Sequence, residues 1–492
     1  MNNHNPKNMP SSNSHFEDEL SKWISDEMLG YEFVDILVKL FYEKSIELIL
    51  FRNQLYDRSA SVILFLHSYA VHTIGKVLRI QDSLVLARAM AEMEIPPARI
   101  DIGRLNFEWT NDRQKYAGPK AFLQGKLKSF IDRDPTFTKP RDAVLYGFGR
   151  IGRLVAREMI QMGNGSQLRL RAVVTRSNQP EDLFKRAHLF RHDSVHGPFQ
   201  GIAVEDLDAR TMYANGHIVQ FLSTGNPESI DYTQYGINDA VLIDNTGVVR
   251  DREGLGRHLK AKGISKVLLT APGKGDIPNI VYGVNHQTTD IDNETIFSAA
   301  SCTTNAILPP LRVIDETLGI EKGHIETIHS YTNDQNLLDN IHKKNRRGRA
   351  APVNMVITDT GANTAAAKII PGLKGKLTAN AVRIPLPDVS LAILHLCVKK
   401  PTSVEEVNVI MKNAALHGEL VEQIRYSASP ESVSSDYIGD PATCIFDSVS
   451  TKVSSDGRSI VIYVWYDNEY GYSVQVVRLA KYLAKVERYR YQ

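Results

Sequence analysis

A short glycine loop constrains the fold of this 492-residue chain more than any other stretch. Residues 147–152 read Gly-Phe-Gly-Arg-Ile-Gly, directly after an apolar strand-like run at 143–146 and directly before a helical run. In this order the first glycine makes the turn, the second lets a pyrophosphate approach the backbone, and the third lets the helix pack on the strand. The stretch therefore predicts a Rossmann-type domain with Gly147, Gly149 and Gly152 at a dinucleotide cofactor.

Two later strand-like runs extend this domain into a parallel sheet. Residues 241–244 lead into Asn-Thr-Gly, and residues 266–269 lead into Thr-Ala-Pro-Gly-Lys. Ligands bind beyond the carboxyl ends of the strands in such sheets, so we expect Thr246, Gly247 and Thr270 to lie beside the cofactor. The two threonines are equally compatible with a role in turns or helix caps.

The end of the second strand of the domain distinguishes NAD from NADP. An NAD site has an acidic residue there for the ribose hydroxyls, whereas residues 175–178 read Thr-Arg-Ser-Asn. A guanidinium and a hydroxyl bind a 2′-phosphate, which a carboxylate would repel. Arg176 therefore favours NADP. The alternative is an NAD site beside which Arg176 faces the solvent.

Composition indicates a globular protein of two or three domains. Hydrophobic residues make up 42% and charged residues 23%, and a net charge of +2 predicts neither a nucleic-acid partner nor another polyanion. Cys302, Cys397 and Cys444 form no disulfide pattern, which favours the cytoplasm. Residues 1–15 resemble a disordered tail without a targeting signal, and charges interrupt the apolar stretch 33–51, so no membrane span is expected.

Residues 16–134 are predicted to form a helical extension. In its first helix Phe33, Ile36, Leu37, Leu40 and Phe41 share one apolar face. Further helices are expected at 62–78, 84–93 and 120–131, with Asp82 as an N-cap, and 134–140 is a candidate linker. We assign no chemistry to the extension, and His67 and His72 are expected to be ordinary helix residues. No metal-ligand spacing was found.

A lone cysteine at the start of a helical run is the candidate nucleophile. Small and hydroxyl residues surround Cys302, and an apolar helix follows it. Unpaired N–H groups at a helix N-terminus favour an anion, which predicts a lowered pKa for this thiol. His329 ends a strand-like run 27 residues later and could act as its base. Without further context, a buried and inert cysteine is the more common alternative.

Four motifs identify the family that this chain resembles. They are Ser301-Cys-Thr-Thr-Asn305, His329-Ser-Tyr-Thr332, Arg346-Arg-Gly-Arg-Ala-Ala351 and Trp465-Tyr-Asp-Asn-Glu-Tyr-Gly-Tyr-Ser473. Their order is that of the phosphorylating glyceraldehyde-3-phosphate dehydrogenases. The chain resembles this family from residue 143 to its C-terminus, and the N-terminal extension falls outside the resemblance.

The resemblance implies the fold class. It is α/β, with a Rossmann-type nucleotide-binding domain at 141–300 and a mixed, largely antiparallel catalytic domain at 301–473, preceded by an all-α N-terminal extension. A C-terminal helix at 474–492 is expected to return to the nucleotide-binding domain. Relatives are homotetramers, and the same assembly is expected here.

The family also implies cofactor contacts. The matching residues are Arg150, Ile151, Asn468 and Tyr472. The first two offer backbone amides to the pyrophosphate, the asparagine orients the nicotinamide carboxamide, and the tyrosine stacks near the ring. In NAD-specific relatives a Leu-Pro pair from a neighbouring subunit crowds the 2′ position. Asn340 and Ile341 stand there in this chain, which agrees with NADP.

Two anion sites follow from the same resemblance. The residues matching the site for the substrate's own phosphate are Thr332, Asp334 and Arg383. Those matching the site for inorganic phosphate are Ser301, Thr303, Arg347, Thr360 and Gly361. The arginine cluster at 346–349 would by itself read as a solvated loop. Asp388 departs from the family pattern, because it adds a negative charge near a phosphate site.

The expected reaction is the phosphorylating oxidation of D-glyceraldehyde 3-phosphate to 1,3-bisphosphoglycerate. Cys302 would form a hemithioacetal, His329 would accept its hydroxyl proton as hydride leaves, and inorganic phosphate would cleave the resulting thioester. Two alternatives stay open. One is the oxidation of erythrose 4-phosphate with water as the acceptor, and the other is a non-catalytic regulator or scaffold that works through the helical extension.

Overall fold

A computed structural model describes residues 12–133, 139–163 and 165–492. The chain divides into two compact units. The first contains the described residues up to 133 together with Arg488–Gln492, and the second is Lys139–Glu487. Most of the predicted tail (1–15) and linker (134–140) lies outside the described residues. Within those residues, no helix combines the length and the apolar character needed to cross a membrane.

The first unit combines helices with short strands. Its helices are α1 (Ser12–Lys44), α2 (Ala60–Ile74), α3 (Ile80–Ala91), α4 (Ile102–Asp112) and α5 (Pro119–Ile131). Its strands are β1 (Glu47–Leu50), β2 (Asn53–Gln54), β3 (Ala98–Asp101) and the C-terminal strand (Tyr489–Tyr491). The predicted apolar face of α1 is buried in the core of this unit, with Phe33 and Leu40 fully inaccessible. His67 is a core residue that contacts Ser83 Oγ through Nε2 at 2.8 Å.

The prediction that the extension is all-α is wrong, because the first unit also contains a four-stranded sheet. The strand order is β2-β1-β3 and then the C-terminal strand, and β3 pairs in parallel with both of its neighbours. Runs of four residues are too short for periodicity to separate a strand from a helix. In addition, Asp82 is not the N-cap of α3, which begins after Arg79.

The second unit contains two large sheets. In chain order its remaining strands are β4 (Arg141–Tyr146), β5 (Leu168–Thr175), β6 (His192–Asp193), β7 (Gly197–Pro198), β8 (Ala203–Asp206), β9 (Thr211–Ala214), β10 (His217–Ser223), β11 (Ala240–Asp244), β12 (Ile264–Leu269), β13 (Ile296–Ser298), β14 (Ile320–Ser330), β15 (Val356–Asp359), β16 (Leu377–Ile384), β17 (Ser390–Val398), β18 (Ile424–Ser427), β19 (Cys444–Asp447), β20 (Lys452–Val453) and β21 (Ser459–Tyr466). Its helices are α6 (Arg150–Met162), α7 (Pro180–Arg191), α8 (Arg252–Gly256), α9 (Cys302–Thr317), α10 (Ala362–Ile369), α11 (Val404–Leu416) and α12 (Tyr470–Leu483).

The first of these sheets has the Rossmann arrangement that the glycine loop predicts. Its order is β13-β12-β11-β4-β5-β10-β9-β8, and the strands from β13 to β10 run parallel. The central strands β11 and β4 are neighbours, so the loops that follow them lie side by side. Antiparallel strands β8 and β9 complete one edge.

The second sheet is mixed, as expected. It has the order β15-β16-β14-β17-β21-β19-β18, with β20 paired to β21. Strand β14 pairs in parallel with β16 and antiparallel with β17, and β17 pairs antiparallel with β21. Helix α9 packs on this sheet within one hydrophobic core that includes Ile307, Leu311 and Ile325. The sheet therefore positions the start of α9 against the end of β14.

The C-terminal helix differs from its prediction. Helix α12 spans Tyr470–Leu483 instead of 474–492, and it packs against α6 of the nucleotide-binding sheet. Lys485 then adopts a left-handed conformation (φ +56°), which ends the helical path. The last residues form the C-terminal strand, whose Tyr489 ring stacks on Phe130 with centroids 5.6 Å apart.

Candidate active site

Cys302 is the first residue of α9, as the sequence predicts. Ser301 is the N-cap, and its Oγ accepts a hydrogen bond from the Thr304 amide at 3.1 Å. Asn305 Nδ2 donates to the carbonyl groups of Ala299 and Ser301, at 2.9 Å each, and so fixes the turn before the helix. The thiol consequently lies at the N-terminal end of a 16-residue helix. Ala300 has φ +56°, a strained conformation for alanine that is found preferentially at functional sites.

His329 lies at the end of β14 and meets this thiol. Its Nε2 is 3.6 Å from Cys302 Sγ. Its Nδ1 lies 2.7 Å from both the Ser330 carbonyl oxygen and Arg383 Nη1. When Nδ1 carries the proton and donates to Ser330, Nε2 presents its lone pair to the sulfur and can accept the thiol proton, whereas Nε2 carries the proton when Nδ1 accepts from Arg383. The two residues predicted to form a nucleophile and its base are therefore brought together.

The protonation of this pair differs in part from expectation. Burial raises the pKa of the Cys302 thiol, while Arg383 and the Thr303 amide act to lower it. The prediction of a lowered pKa, made from the helix N-terminus, is therefore wrong, because it omitted desolvation. Burial and, next, the charge of Arg383 lower the pKa of His329 to about 3. His329 is thus neutral at pH 7, the form in which it can act as a base.

A cluster of charged and hydroxyl residues borders the pair. Arg383 Nη1 donates to the Ser330 carbonyl at 2.8 Å and lies 2.7 Å from His329 Nδ1. On the neighbouring loop, Asp334 contacts Arg347 Nη1 at 2.5 Å and accepts from the Thr332 hydroxyl at 2.7 Å. The structure thus brings together Thr332, Asp334 and Arg347, which the sequence had divided between two phosphate sites. Among the three arginines of the 346–349 cluster, Arg347 is the buried one.

The remaining predicted phosphate ligands are held by local contacts. Ser301 Oγ lies 2.7 Å from Thr304 Oγ1, and Thr303 Oγ1 lies 3.1 Å from the Tyr466 hydroxyl. Thr360 Oγ1 accepts from the amide of Ala362, the first residue of α10. Gly361 directly precedes that helix. In the described residues, neither Thr360 nor Gly361 hydrogen-bonds to the Cys302 turn, so a shared phosphate site stays a prediction.

The glycine loop has the form that the nucleotide motif requires. Gly147 has φ +94°, and a Cβ atom there would lie 2.9 Å from Thr246 Cγ2. A Cβ on Gly152 would lie 2.5 Å from the Gly147 carbonyl oxygen, so helix α6 packs closely on the loop. A Cβ on Gly149 would meet nothing within 4 Å, which leaves open space beside the N-terminus of α6. Such a helix N-terminus, whose backbone amides include that of Ile151, suits the pyrophosphate of a dinucleotide.

The loops after β11 and β12 meet beside the glycine loop. The Thr246 hydroxyl donates to Asp244 Oδ1 at 2.7 Å, and the Thr270 hydroxyl donates to the Asp244 carbonyl at 3.1 Å. Gly247 adopts φ +59° in the same turn. These predicted cofactor neighbours therefore lie together at the carboxyl ends of adjacent parallel strands, and their hydroxyls also stabilise the turns.

Asn468 and Tyr472, the residues predicted to meet the nicotinamide, lie just before α12 and within it. The Tyr472 hydroxyl donates to the Ala300 carbonyl at 3.0 Å, two residues before Cys302. Asn468 Oδ1 accepts from the Ser390 hydroxyl at 2.7 Å, which orients the amide with its N–H groups free of partners among the described residues. Tyr472 is thus hydrogen-bonded to the turn that carries the nucleophile, and the contact of Asn468 with a nicotinamide carboxamide stays a prediction.

Comparisons with known proteins agree with this geometry. The NAD-binding domain of the glyceraldehyde 3-phosphate dehydrogenase family matches residues 142–252, and the C-terminal domain of that family matches residues 301–468. A glyceraldehyde-3-phosphate dehydrogenase-like protein of Pseudomonas aeruginosa is 46% identical over 92% of this chain and 98% of its own length. The chain belongs to the glyceraldehyde-3-phosphate dehydrogenase family.

Two other relatives match about seven-tenths of this chain. Glyceraldehyde-3-phosphate dehydrogenase 2 of Trichormus variabilis is 42% identical over 69% of this chain and 97% of its own length. The chloroplastic glyceraldehyde-3-phosphate dehydrogenase A of Zea mays is 42% identical over 71% of this chain and 83% of its own. The Pseudomonas match spans 458 residues, so it must include most of the N-terminal extension.

The segment after β5, which is predicted to meet the 2′ position of the cofactor, contains both a cation and a carboxylate. Arg176 directly follows β5, is exposed, and forms no ion pair with any described residue. The next hydroxyl, Ser177, donates a short hydrogen bond to Asp182 of α7. Asn340 and Ile341 lie on an exposed loop, with the isoleucine 96% accessible.

Two residues of the dehydrogenase site were not predicted from the sequence. The hydroxyl of Tyr466 bridges Thr303 Oγ1 and Thr327 Oγ1, at 3.1 and 2.7 Å, and its ring packs edge-on against His329. Ser390 orients Asn468. Tyr466 belongs to a recognised motif, and its place on the buried face of β21 was available from the alternation of that strand. Ser390 gave no comparable signal.

Proposed function

We propose that this chain catalyses the phosphorylating oxidation of D-glyceraldehyde 3-phosphate to 1,3-bisphosphoglycerate, with NADP favoured over NAD. The observation that supports this most directly is the 3.6 Å contact between Cys302 Sγ and a neutral His329 at a helix N-terminus. This arrangement suits a thiol that loses its proton to the imidazole as it attacks an aldehyde.

The residues of the site have distinct roles in this proposal. His329 accepts a proton from Cys302, and later from the hydroxyl of the hemithioacetal. The positive charge of Arg383 stabilises the Cys302 thiolate. The same charge lowers the pKa of His329, so the imidazole is protonated only while a negative group lies beside it. A nicotinamide cofactor bound beside Asn468 and Tyr472 supplies the hydride acceptor. Inorganic phosphate then attacks the thioester on Cys302 and releases the acyl phosphate.

The phosphate groups require cationic and hydroxyl ligands, and the loop beside His329 offers them. Arg383 contacts His329, and Arg347 and Thr332 are joined through Asp334 on the loop that follows β14. Arginine binds phosphate oxygens with two parallel N–H groups, which fixes orientation as well as charge. In the proposed reaction an incoming phosphate competes with Asp334 for Arg347, so Asp334 sets how readily this arginine is released.

Dependence on phosphate tests the proposed reaction against its main alternative. Initial rates of NADPH and NADH formation should be measured with glyceraldehyde 3-phosphate, with and without inorganic phosphate, and with erythrose 4-phosphate. We expect sustained turnover only with glyceraldehyde 3-phosphate and phosphate together. Equal rates without phosphate would overturn the proposal and favour an erythrose-4-phosphate dehydrogenase that uses water.

A cysteine pair separates catalysis from a regulatory or scaffolding role. Cys302→Ser should abolish dehydrogenase activity, whereas Cys397→Ser on β17 should retain it, because Cys397 is a half-buried residue of that strand. If Cys302→Ser turns over at the wild-type rate, the catalytic proposal fails. In that case a function of the helical extension becomes the better explanation.

The preference for NADP rests on the charge at Arg176. Its exposed guanidinium can bind a 2′-phosphate, while the Asp182 carboxylate bound to Ser177 opposes it. Arg176→Ala should raise the KM for NADP at least tenfold and change the KM for NAD little, which corresponds to the loss of one charge-assisted contact of about 1.5–3 kcal/mol. Lys185→Ala on the exposed face of α7 is the control. Equal effects on both cofactors would contradict NADP specificity.

The proposal includes assembly into a homotetramer in the cytoplasm. Leu337, Leu338 and Ile341 are more than 70% exposed on one loop, and such apolar clusters mark association surfaces. All three cysteines are free, which suits a reducing compartment. Light scattering coupled to size-exclusion chromatography tests the assembly, and a monomer mass of 55.1 kDa in solution would contradict it.

A further inference from the structure

A buried group of acidic residues and one histidine lies apart from the Cys302–His329 pair. His196, between β6 and β7, meets Asp388, just before β17, and Asp467, just after β21. One nitrogen or oxygen atom of each lies within 4.8 Å of the others, and their side chains are 5%, 0% and 0% exposed, respectively. Glu469 adjoins the group through its 3.2 Å contact with His196 Nε2.

The polar atoms of this group differ in the number of hydrogen bonds that they accept or donate. Asp467 accepts hydrogen bonds from the amides of Gly439, Glu469 and Tyr470, at 2.8, 2.9 and 2.6 Å. By contrast, both carboxylate oxygens of Asp388 lack a hydrogen-bond partner among the described residues, and so does Nδ1 of His196. Buried polar atoms are almost always paired, so these three atoms point to a ligand.

The charges of the group do not balance either. Arg150 contacts Glu469 and also Asp193, at 3.5 Å for the latter. Within the described residues, no lysine or arginine forms an ion pair with Asp388 or Asp467, whose recorded partner is His196. A positive ion placed between the two carboxylates would offset their negative charges.

We propose that His196, Asp388 and Asp467 bind one divalent transition-metal ion, of the class of Mn²⁺ or Zn²⁺. Imidazole together with carboxylates suits these ions better than Mg²⁺ or Ca²⁺, which prefer oxygen ligands alone. Ligands at about 2.0–2.2 Å from a metal stand about 3.0–3.6 Å from one another. Nδ1 of His196 lies 3.8 Å from Asp467, close to that range, and one atom of each of the three residues lies within 4.8 Å of the others.

Glu469 prepares the histidine for this role. When His196 Nε2 donates to this carboxylate, Nδ1 is the ring nitrogen left facing Asp467, 3.8 Å away. A carboxylate that orients a metal-binding imidazole through its other nitrogen is a common feature of metal sites. Arg150 holds Glu469 in turn, through two hydrogen bonds.

The ion would act on the active site by positioning its neighbours. Asp467 directly precedes Asn468, and Asp388 is two residues from Ser390, which hydrogen-bonds to Asn468. The backbone between them also contacts the catalytic strand, because the Ser330 hydroxyl donates to the Val389 carbonyl at 2.9 Å. This consequence rests on the proposed dehydrogenase function, whereas metal binding itself does not.

Metal content and spectroscopy test the site independently of activity. The full chain should be produced in medium containing Mn²⁺ or Zn²⁺, dialysed, and analysed by elemental mass spectrometry. We expect close to one ion per chain, and electron spin-echo spectra of the Mn²⁺ form should show modulation from one imidazole nitrogen. Asp388→Asn, which preserves the shape of the side chain, should weaken binding at least tenfold. His196→Gln should remove the nitrogen modulation.

A matched control and three outcomes keep the inference refutable. Asp208→Asn changes an exposed aspartate in the same way and should bind the ion as the wild type does. Less than a tenth of an ion per chain with both metals would overturn the proposal, and would assign the Asp388–Asp467 contact to a shared proton. Wild-type affinity in Asp388→Asn, or equally tight binding of Mg²⁺, would overturn it as well.

Discussion

Replacing His329 by glutamine tests the role of the imidazole most sharply. The glutamine amide can reach the position of Nε2, 3.6 Å from Cys302 Sγ, but it cannot accept a proton. A positioned base contributes about 10²–10⁴-fold to a rate, so we expect kcat to fall by that factor, equivalent to about 3–5.5 kcal/mol. Because burial raises the pKa of the Cys302 thiol, little thiolate forms at pH 7 without a base, and the loss should lie toward the larger value.

Stopped-flow measurement of the first turnover separates this effect from product release. In His329→Gln the burst of NADPH should slow by the same factor as kcat, and its rate should rise with pH as solvent base replaces the imidazole. In the wild type, protonation of His329 should not reduce the burst between pH 5 and pH 7, because its pKa is about 3. A burst in His329→Gln within threefold of the wild type would refute the assignment of the base.

Three further changes probe the surroundings of the site and the first unit. Tyr466→Phe removes a buried hydroxyl that serves Thr303 and Thr327, and should lower the unfolding free energy by about 1–3 kcal/mol in denaturant titration while reducing kcat less than His329→Gln does. Burial lowers the pKa of His67 to about 4 from an unfolded value of 6.5, so stability of the first unit should be constant above pH 6.5 and fall by about 3 kcal/mol toward pH 4. His67→Gln should remove that part of the pH dependence, as measured by hydrogen exchange in α2 and α3. Ending the chain at Glu487 deletes the C-terminal strand and should speed hydrogen exchange in its partner β3, whereas removal of the last residue alone should not.

The sequence was most informative where a site is built from residues that follow one another in the chain. Strand, glycine loop and helix are contiguous, so the Rossmann unit and the open space at Gly149 followed from a dozen residues. The position of Cys302 at a helix start was equally local. The strand-like run that ends at His329 suggested a contact with Cys302, and the resemblance to the family supported it.

Features that depend on contacts between residues far apart in the sequence could not be predicted. Strand β1 reads Glu-Leu-Ile-Leu, which fits a helix as well as a strand, and the C-terminal strand that completes its sheet begins at Tyr489. The raised pKa of the Cys302 thiol depends on burial by the whole domain, which the local helix argument could not include. Asp388 stood out as an extra charge, but its neighbours His196 and Asp467 are 192 and 79 positions away in the chain.

The most direct test of the proposed catalysis is to capture the acyl group on its sulfur. The full chain should be mixed with glyceraldehyde 3-phosphate and NADP without phosphate, quenched in acid, and digested for mass spectrometry. We predict one NADPH per active site and a 3-phosphoglyceryl thioester on Cys302, which disappears with formation of an acyl phosphate when inorganic phosphate is added. Continued NADPH formation without phosphate, or turnover with no adduct on Cys302, would contradict the account.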